Sequence, residues 1–181
     1  LFRLVGSEMC IRDSIHAWEP GSMGGKSMGK IVFGDINPSG KMPMTTARSV
    51  GQLTMVYNHK PTNYIHKYAF EKTKPLYRFG FGLSYTTFSI SKPTLSTSEW
   101  DGTGKVLVKV DVKNTGQREG METVQLYIRD LFSSVTRPVL ELKGYKKVNV
   151  APGETKSVSF SLALDDLSLI HISEPTRRKR I

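Results

Sequence analysis

The chain changes character near Tyr85. Beyond it, apolar residues recur with period two. Val106, Val108, Val110 and Val112 fall on one side of an extended segment, and Leu107, Lys109, Asp111 and Lys113 fall on the other. A second run sets Val124, Leu126 and Ile128 against Thr123, Gln125, Tyr127 and Arg129, and a third sets Val158, Phe160, Leu162 and Leu164 against small or polar residues. Side chains on a strand alternate between faces, so each run predicts a β-strand with one buried face. Chain-breaking stretches separate the runs: Asn114–Gly120, Pro138, and Ala151–Glu154. Strands of this kind, punctuated by turns, predict a mainly β fold, an antiparallel β-sandwich over about residues 84–167.

Before Tyr85 the pattern is different. Met28, Ile31 and Val32 have helical spacing and stop at Gly34, which predicts one short helix ending in a glycine cap. Pro38, Gly40 and Pro43 then forbid a regular element. Residues 51–83 show little periodicity and are rich in Tyr, Pro, Asn and His, so they form a long connector. Within it, Gly80 and Gly82 are expected to let the backbone turn tightly between aromatic side chains.

Composition narrows the classes. The net charge of +10 suggests a polyanion partner. Its only cluster, however, is Arg177–Arg180; the other lysines and arginines are spread singly, as on a solvated surface, and no aromatic stacking platform lies beside the cluster. We therefore expect no nucleic-acid partner. No run approaches the roughly 20 apolar residues of a membrane-spanning helix, and we expect no membrane partner. The single cysteine, Cys10, excludes an internal disulfide and any multi-cysteine zinc site.

Candidate chemistry is sparse. Gly25, Lys26 and Ser27 match the end of a phosphate-binding loop, but the first glycine of that pattern would fall on Pro20, which has no N–H to offer. His16, His59, His66 and His171 have no ligand-like spacing, so neither a metal nor a cofactor is expected. Glu19 stands beside the glycine-rich turn without a second carboxylate near it, and surface position is the better reading. Asn114-Thr115-Gly116 is not a glycosylation acceptor, and Pro38 removes Asn37 from that class.

Several long stretches carry a resemblance: "AWEPGSMGG", "FGDINPSGKMPMTTARSVGQL", "YRFGFGLSYTTF", "VKNTGQREGMETVQLYIRD", "SSVTRPVLELKGYKKV" and "APGETKSVSF". Together they resemble the C-terminal part of glycoside hydrolase family 3, and its bacterial β-glucosidases above all. The resemblance runs in uninterrupted order over about residues 17–167. It implies that residues 15–50 end an α/β sandwich domain and that residues 51–83 connect it to a fibronectin type III-like (immunoglobulin-like) sandwich at 84–167. The family's retaining mechanism needs two carboxylates about 5–5.5 Å apart. The resemblance places both upstream of the matching residues, so no catalytic residue is expected here. It implies an exo-acting parent enzyme that acts on β-linked oligosaccharides or glucosides, with the catalytic domains of the same polypeptide as the chain's partner and an exported location for the parent.

Residues 1–14 and 168–181 depart from the family pattern. They are expected to be foreign to it, of the kind that translated cloning sequence produces, which would leave the sandwich without its last strands. Trp18, Tyr68, Tyr77, Phe79 and Phe81 are the candidate functional residues, either as the rim of a sugar pocket or as a domain interface. Burial between domains is favoured, because aromatic side chains dominate such interfaces. An alternative function is a stand-alone β-sandwich that binds carbohydrate or protein surfaces without catalysis.

Overall fold

The structure, a computed structural model, describes residues 14–52, 55–61, 72–131, 136–167 and 179–180. The chain divides at Ile36/Asn37 into two compact units.

The first unit holds one helix, α1 (Gly24–Val32). Gly21 takes a left-handed φ of 67° and turns the chain, and Gly24 N donates to Gly21 O at 3.0 Å. Pro20 then packs on Gly24 so closely that a Cβ there would lie 2.5 Å from Pro20 Cγ, which explains the glycine. The helix stops as expected. Gly34 adopts a φ of 81° and donates to Ile31 O, closing the last turn with a backbone only glycine adopts freely. Lys26 and Ser27 lie inside this helix.

The second unit contains the sandwich. Its strands are β1 (Phe88–Ile90), β2 (Thr94–Leu95), β3 (Glu99–Trp100), β4 (Val106–Asn114), β5 (Gly120–Ile128), β6 (Glu141–Val150), β7 (Thr155–Leu162) and β8 (Lys179–Arg180); a short helix, α2 (Leu164–Leu167), follows β7. Every pairing is antiparallel. β7 pairs β4 along its length, from Val106↔Leu162 to Lys113↔Thr155, while β1 and β2 share the other edge of β4. β5 and β6 form the second layer, and β3 pairs β8.

The valines of β4 alternate as the sequence predicts, with Val106 and Val112 fully buried. With Val158, Phe160 and Leu162 of β7, Val124 of β5, Val150 of β6 and Trp100, they form one core. Leu164 departs from expectation: the third run ends at Leu162, and Leu164 begins α2 with its side chain largely exposed. Ala163 N donates to Asp166 Oδ2 at 2.8 Å, a cap that starts a helical turn where the alternation alone would continue the strand.

β6 was not evident from alternation, since Lys143, Lys146 and Lys147 interrupt its apolar residues. Opposite Leu126 and Tyr127 its register jumps from Gly144 to Leu142, so the extra residue, Lys143, belongs to β6 and β5 stays regular. Gly144 passes close over Phe160, where a Cβ would sit 3.3 Å from the ring. The β6–β7 turn is Ala151-Pro152-Gly153-Glu154. Pro152 presets its second position and Gly153 (φ 75°) its third, and Glu154 N donates to Ala151 O at 3.0 Å.

Candidate functional site

β5 provides the feature the alternation missed. Its nominally solvent-facing residues Thr123, Gln125 and Tyr127 are covered, and Thr123 is only 8% exposed. The cover is an irregular ribbon made from two distant stretches. Met42 N donates to Phe81 O at 2.7 Å and Gly80 N to Met42 O at 2.8 Å; farther along, Thr46 N donates to Tyr77 O and Leu76 N to Thr46 O. The ribbon supplies backbone pairing of its own and leaves the carbonyls of Ser39 and Gly80 to the strand.

Those carbonyls are taken up by β5. Thr123 Oγ1 donates to Ser39 O at 3.0 Å, and Gln125 Nε2 to Gly80 O at 3.3 Å. Tyr127 OH donates to Gln125 Oε1 at 2.6 Å, which fixes the amide. Lys41 Nζ meets Glu122 at 2.8 Å and also reaches Gly82 O at 3.3 Å, with both side chains of the ion pair largely buried. Two glycines make this approach possible. Gly80 has a φ of 77°, and any Cβ on it would collide with Gln125 and Tyr127. A Cβ on Gly82 would collide with the backbone of Gly40.

Aromatic rings close the clasp. Tyr57 stacks on Phe79 with centroids 4.0 Å apart, and Tyr127 meets both rings edge-on, at 6.3 and 6.4 Å. Tyr77 stacks on Phe81 at 5.5 Å. Burial and the neighbouring Tyr57 push the Tyr127 phenol above its ordinary pKa.

Two asparagines lock the surrounding loops. Asn37 Oδ1 accepts from Ser84 Oγ and Tyr85 N, while its amide donates to Glu119 O. Asn114, fully buried at the end of β4, uses its whole side chain: Oδ1 accepts from Thr86 Oγ1 and Gly116 N, and Nδ2 donates to Arg118 O and Val150 O. Gln52, also buried, holds the connector by accepting from Arg48 N and donating to Lys72 O.

Of the candidate residues, Tyr77, Phe79 and Phe81 all lie in the ribbon, and Phe79 is packed between Tyr57 and Tyr127. Trp18 belongs to the first unit. It is half exposed, has a φ of 52°, and its ring stands 4.4 Å from that of His16. Tyr68 lies outside the described residues, as do Tyr64, Phe70, His66 and His171. Sequence reasoning passed over Tyr57 and Tyr127. An aromatic ring on the polar face of β5 was the available signal for Tyr127.

Glu19 is exposed. The displaced carboxyl groups titrate low: a hydrogen bond from the Thr103 side chain holds Asp101 below its ordinary value, and one from Ala151 N does the same for Glu154. A general acid for glycoside cleavage needs the opposite shift. Glu122, Asp130, Glu141 and Glu154 are each ion-paired, with Lys41, Arg137, Lys143 and Lys156. Among the described residues no cluster of three or more His, Cys, Asp or Glu could hold a metal.

The sandwich, with an irregular ribbon clasped to its second layer, has the architecture of a fibronectin type III-like module. Residues 122–178 match the fibronectin type III-like domain, and residues 10–85 match the glycosyl hydrolase family 3 C-terminal domain. The chain belongs to glycoside hydrolase family 3 and carries the C-terminal region of that family.

Similar proteins include a periplasmic β-glucosidase of Salmonella typhimurium, 44% identical over 84% of this chain and 21% of its own length. A β-xylosidase of Formosa agariphila is 41% identical over 87% of this chain and 22% of its own length. Among solved structures, a β-glucosidase from Erythrobacter marinus superposes with a TM-score of 0.80 at 45% identity, covering 83% of this chain and 20% of that one. A Listeria innocua β-glucosidase in complex with glucose gives a TM-score of 0.78 at 33% identity, covering 83% of this chain and 22% of that one. The chain thus spans about a fifth of the length of the relatives it matches.

Proposed function

We propose that this chain is the accessory C-terminal part of a retaining, exo-acting β-glycosidase of β-glucosidase type, and that the parent's two catalytic carboxylates lie outside it. The clasp on β5 carries the proposal. Ser39, Lys41 and Gly80 fall within the family 3 C-terminal domain, and Thr123, Glu122 and Gln125 within the fibronectin type III-like domain. Side-chain to backbone bonds, a largely buried ion pair and a close glycine approach join the two matched regions, as a rigid buttress requires. The role assigned to the chain is mechanical: it fixes the end of the α/β domain so that pocket residues elsewhere in the parent hold their geometry.

On this reading Tyr77, Phe79 and Phe81 are joint residues rather than sugar platforms. Phe79 supports it, because its ring already packs against Tyr57 and Tyr127. Trp18 is assigned to an interface with the parent's catalytic domains. The substrate of the parent is a β-linked glucoside or oligosaccharide, in keeping with the β-glucosidases the chain resembles. Likeness to a periplasmic enzyme supports an exported parent.

Mixing provides the test. The purified chain is added to the Salmonella β-glucosidase shortened by its matching C-terminal segment, and hydrolysis of a chromogenic aryl β-glucoside is followed. Activity is expected from the mixture and from neither part alone. Turnover by this chain alone, persisting through repurification, would overturn the proposal.

A further inference from the structure

The clasp covers β5 and stops short of β6. Residues directly opposite each other in an antiparallel pair point to the same face. The register therefore sets Lys147 beside Thr123 and Tyr145 beside Gln125, on the face of the sheet that the ribbon covers. At one end the cover reaches β6. Val139 N, just before the strand, donates to His59 O at 2.9 Å, and Tyr57 packs against Tyr127, whose partner on β6 is Leu142. Along Tyr145 and Lys147 the cover gives out.

The side chains left there are unlike those of the other layer's open face. Tyr145 is 65% exposed, and among the described residues nothing bonds its hydroxyl or packs on its ring. Lys41, Lys143 and Lys156 each have a carboxylate partner, whereas Lys147 is exposed and has none among the described residues. The open face of β4 and β7 carries no aromatic ring at all. A large ring left in water at the margin of a formed interface marks where that interface continues.

We propose, on the reading of the chain as the C-terminal part of a family 3 enzyme, that Tyr145 and Lys147 form a docking strip. Its occupant is the catalytic part of the same parent polypeptide, which meets the tyrosine with apolar surface and the lysine with a carboxylate. Continuity selects this occupant, because the strip extends a joint in which residues of the matched family 3 domain already lie on the matched fibronectin type III-like domain. The relatives' own lengths are about five times the part matched here, so such a polypeptide has ample surface to cover the strip. Charge agrees: a net +10 is complementary to an acidic surface and opposes a second copy of the chain.

The experiment combines the full chain with the Salmonella β-glucosidase shortened by its matching C-terminal segment. Binding is read by calorimetry without substrate, and iodination of Tyr145 and acetylation of Lys147 are compared in the free and bound chain. Both side chains should react at least about tenfold more slowly in the complex, while Lys109 on the open face of β4 keeps its reactivity. Tyr145→Ala should weaken binding at least about tenfold, and Lys147→Glu about fivefold with a shallower dependence on salt. The melt of the free chain should not change in Tyr145→Ala, since the ring is exposed. If that variant melts early, Lys147→Glu and the labelling of the wild type decide. A complex in which both side chains stay reactive, a complex indifferent to both substitutions, or no complex at all overturns the proposal. Turnover of an aryl β-glucoside in the same mixtures separates the two readings. A protected strip without turnover overturns the accessory role alone, and turnover with a reactive strip overturns the docking strip alone.

Discussion

β4 and β5 are both nine residues long and both alternate in sequence, yet they are used in opposite ways. β4 buries its valines and leaves Leu107, Lys109, Asp111 and Lys113 exposed, facing a row of serines and a threonine on β7. β5 buries Val124 in the core and then receives a second cover over Thr123, Gln125 and Tyr127. Alternation thus establishes that a strand has two chemically different faces. Whether the polar face meets water depends on what the rest of the chain lays upon it. On β5 the polar groups are joinery, each bonded to a carbonyl of the ribbon or to a neighbour so bonded.

The sharpest way to break the contrast is through the face the strands share. Val112→Asp buries an unpaired carboxylate at a fully enclosed site and should cost more than about 4 kcal/mol, enough to abolish a cooperative thermal transition. The second expectation separates the polar faces. Gln125→Ala should cost about 1–2 kcal/mol in denaturant unfolding, because it strips a donor from Gly80 O and an acceptor from Tyr127. Ser159→Ala, on the open face of β7, should stay within about 0.5 kcal/mol. Equal losses at the two positions would erase the distinction between a clasped and a solvated face.

The smallest effect concerns pH. Glu154 is held below its ordinary pKa chiefly by Ala151 N at the β6–β7 turn. A carboxyl group whose folded pKa lies below its unfolded one stabilises fully above the unfolded value, and its contribution disappears as pH falls through the folded value. The difference in melting temperature between wild type and Glu154→Gln should therefore be greatest near neutrality and vanish in acid. A difference that grows on acidification would show the sign to be wrong.

The parts legible in the sequence were those whose partners are near or whose pattern is strict. β4 and β7 follow from valine, phenylalanine and leucine at every second place, and α1 follows from Met28, Ile31, Val32 and the cap at Gly34. β6 escaped because Lys146 caps a carbonyl from a place the apolar period would otherwise fill. Leu164 misled because one more alternating residue outweighed the cap from Asp166.

The ribbon was the least legible feature. Its bonds link Ser39 to Thr123 and Gly80 to Gln125 across long sequence separations, and no local propensity encodes such pairs. Only the glycines hinted at it. Gly80 and Gly82 were expected to turn the chain, and their further role is to let it approach β5 and Gly40. Of the aromatic candidates, Tyr77, Phe79 and Phe81 lie in the clasp; of the partners of Phe79, Tyr127 was marked only by its place on the polar face of β5, and Tyr57 by no motif.

Asn114 has one more consequence, for the chemical ageing of the protein. Asparagine is lost when the next residue's amide nitrogen attacks the side-chain carbonyl carbon, forming a succinimide and expelling ammonia. Here the amide of Thr115 is engaged by Thr87 O at 2.8 Å, and both protons of the leaving nitrogen are held by Arg118 O and Val150 O. The fold thus shields this four-bonded side chain from decay. Should conversion to aspartate occur during a transient opening, the new oxygen would face those two carbonyls, and the loop could not close again as before.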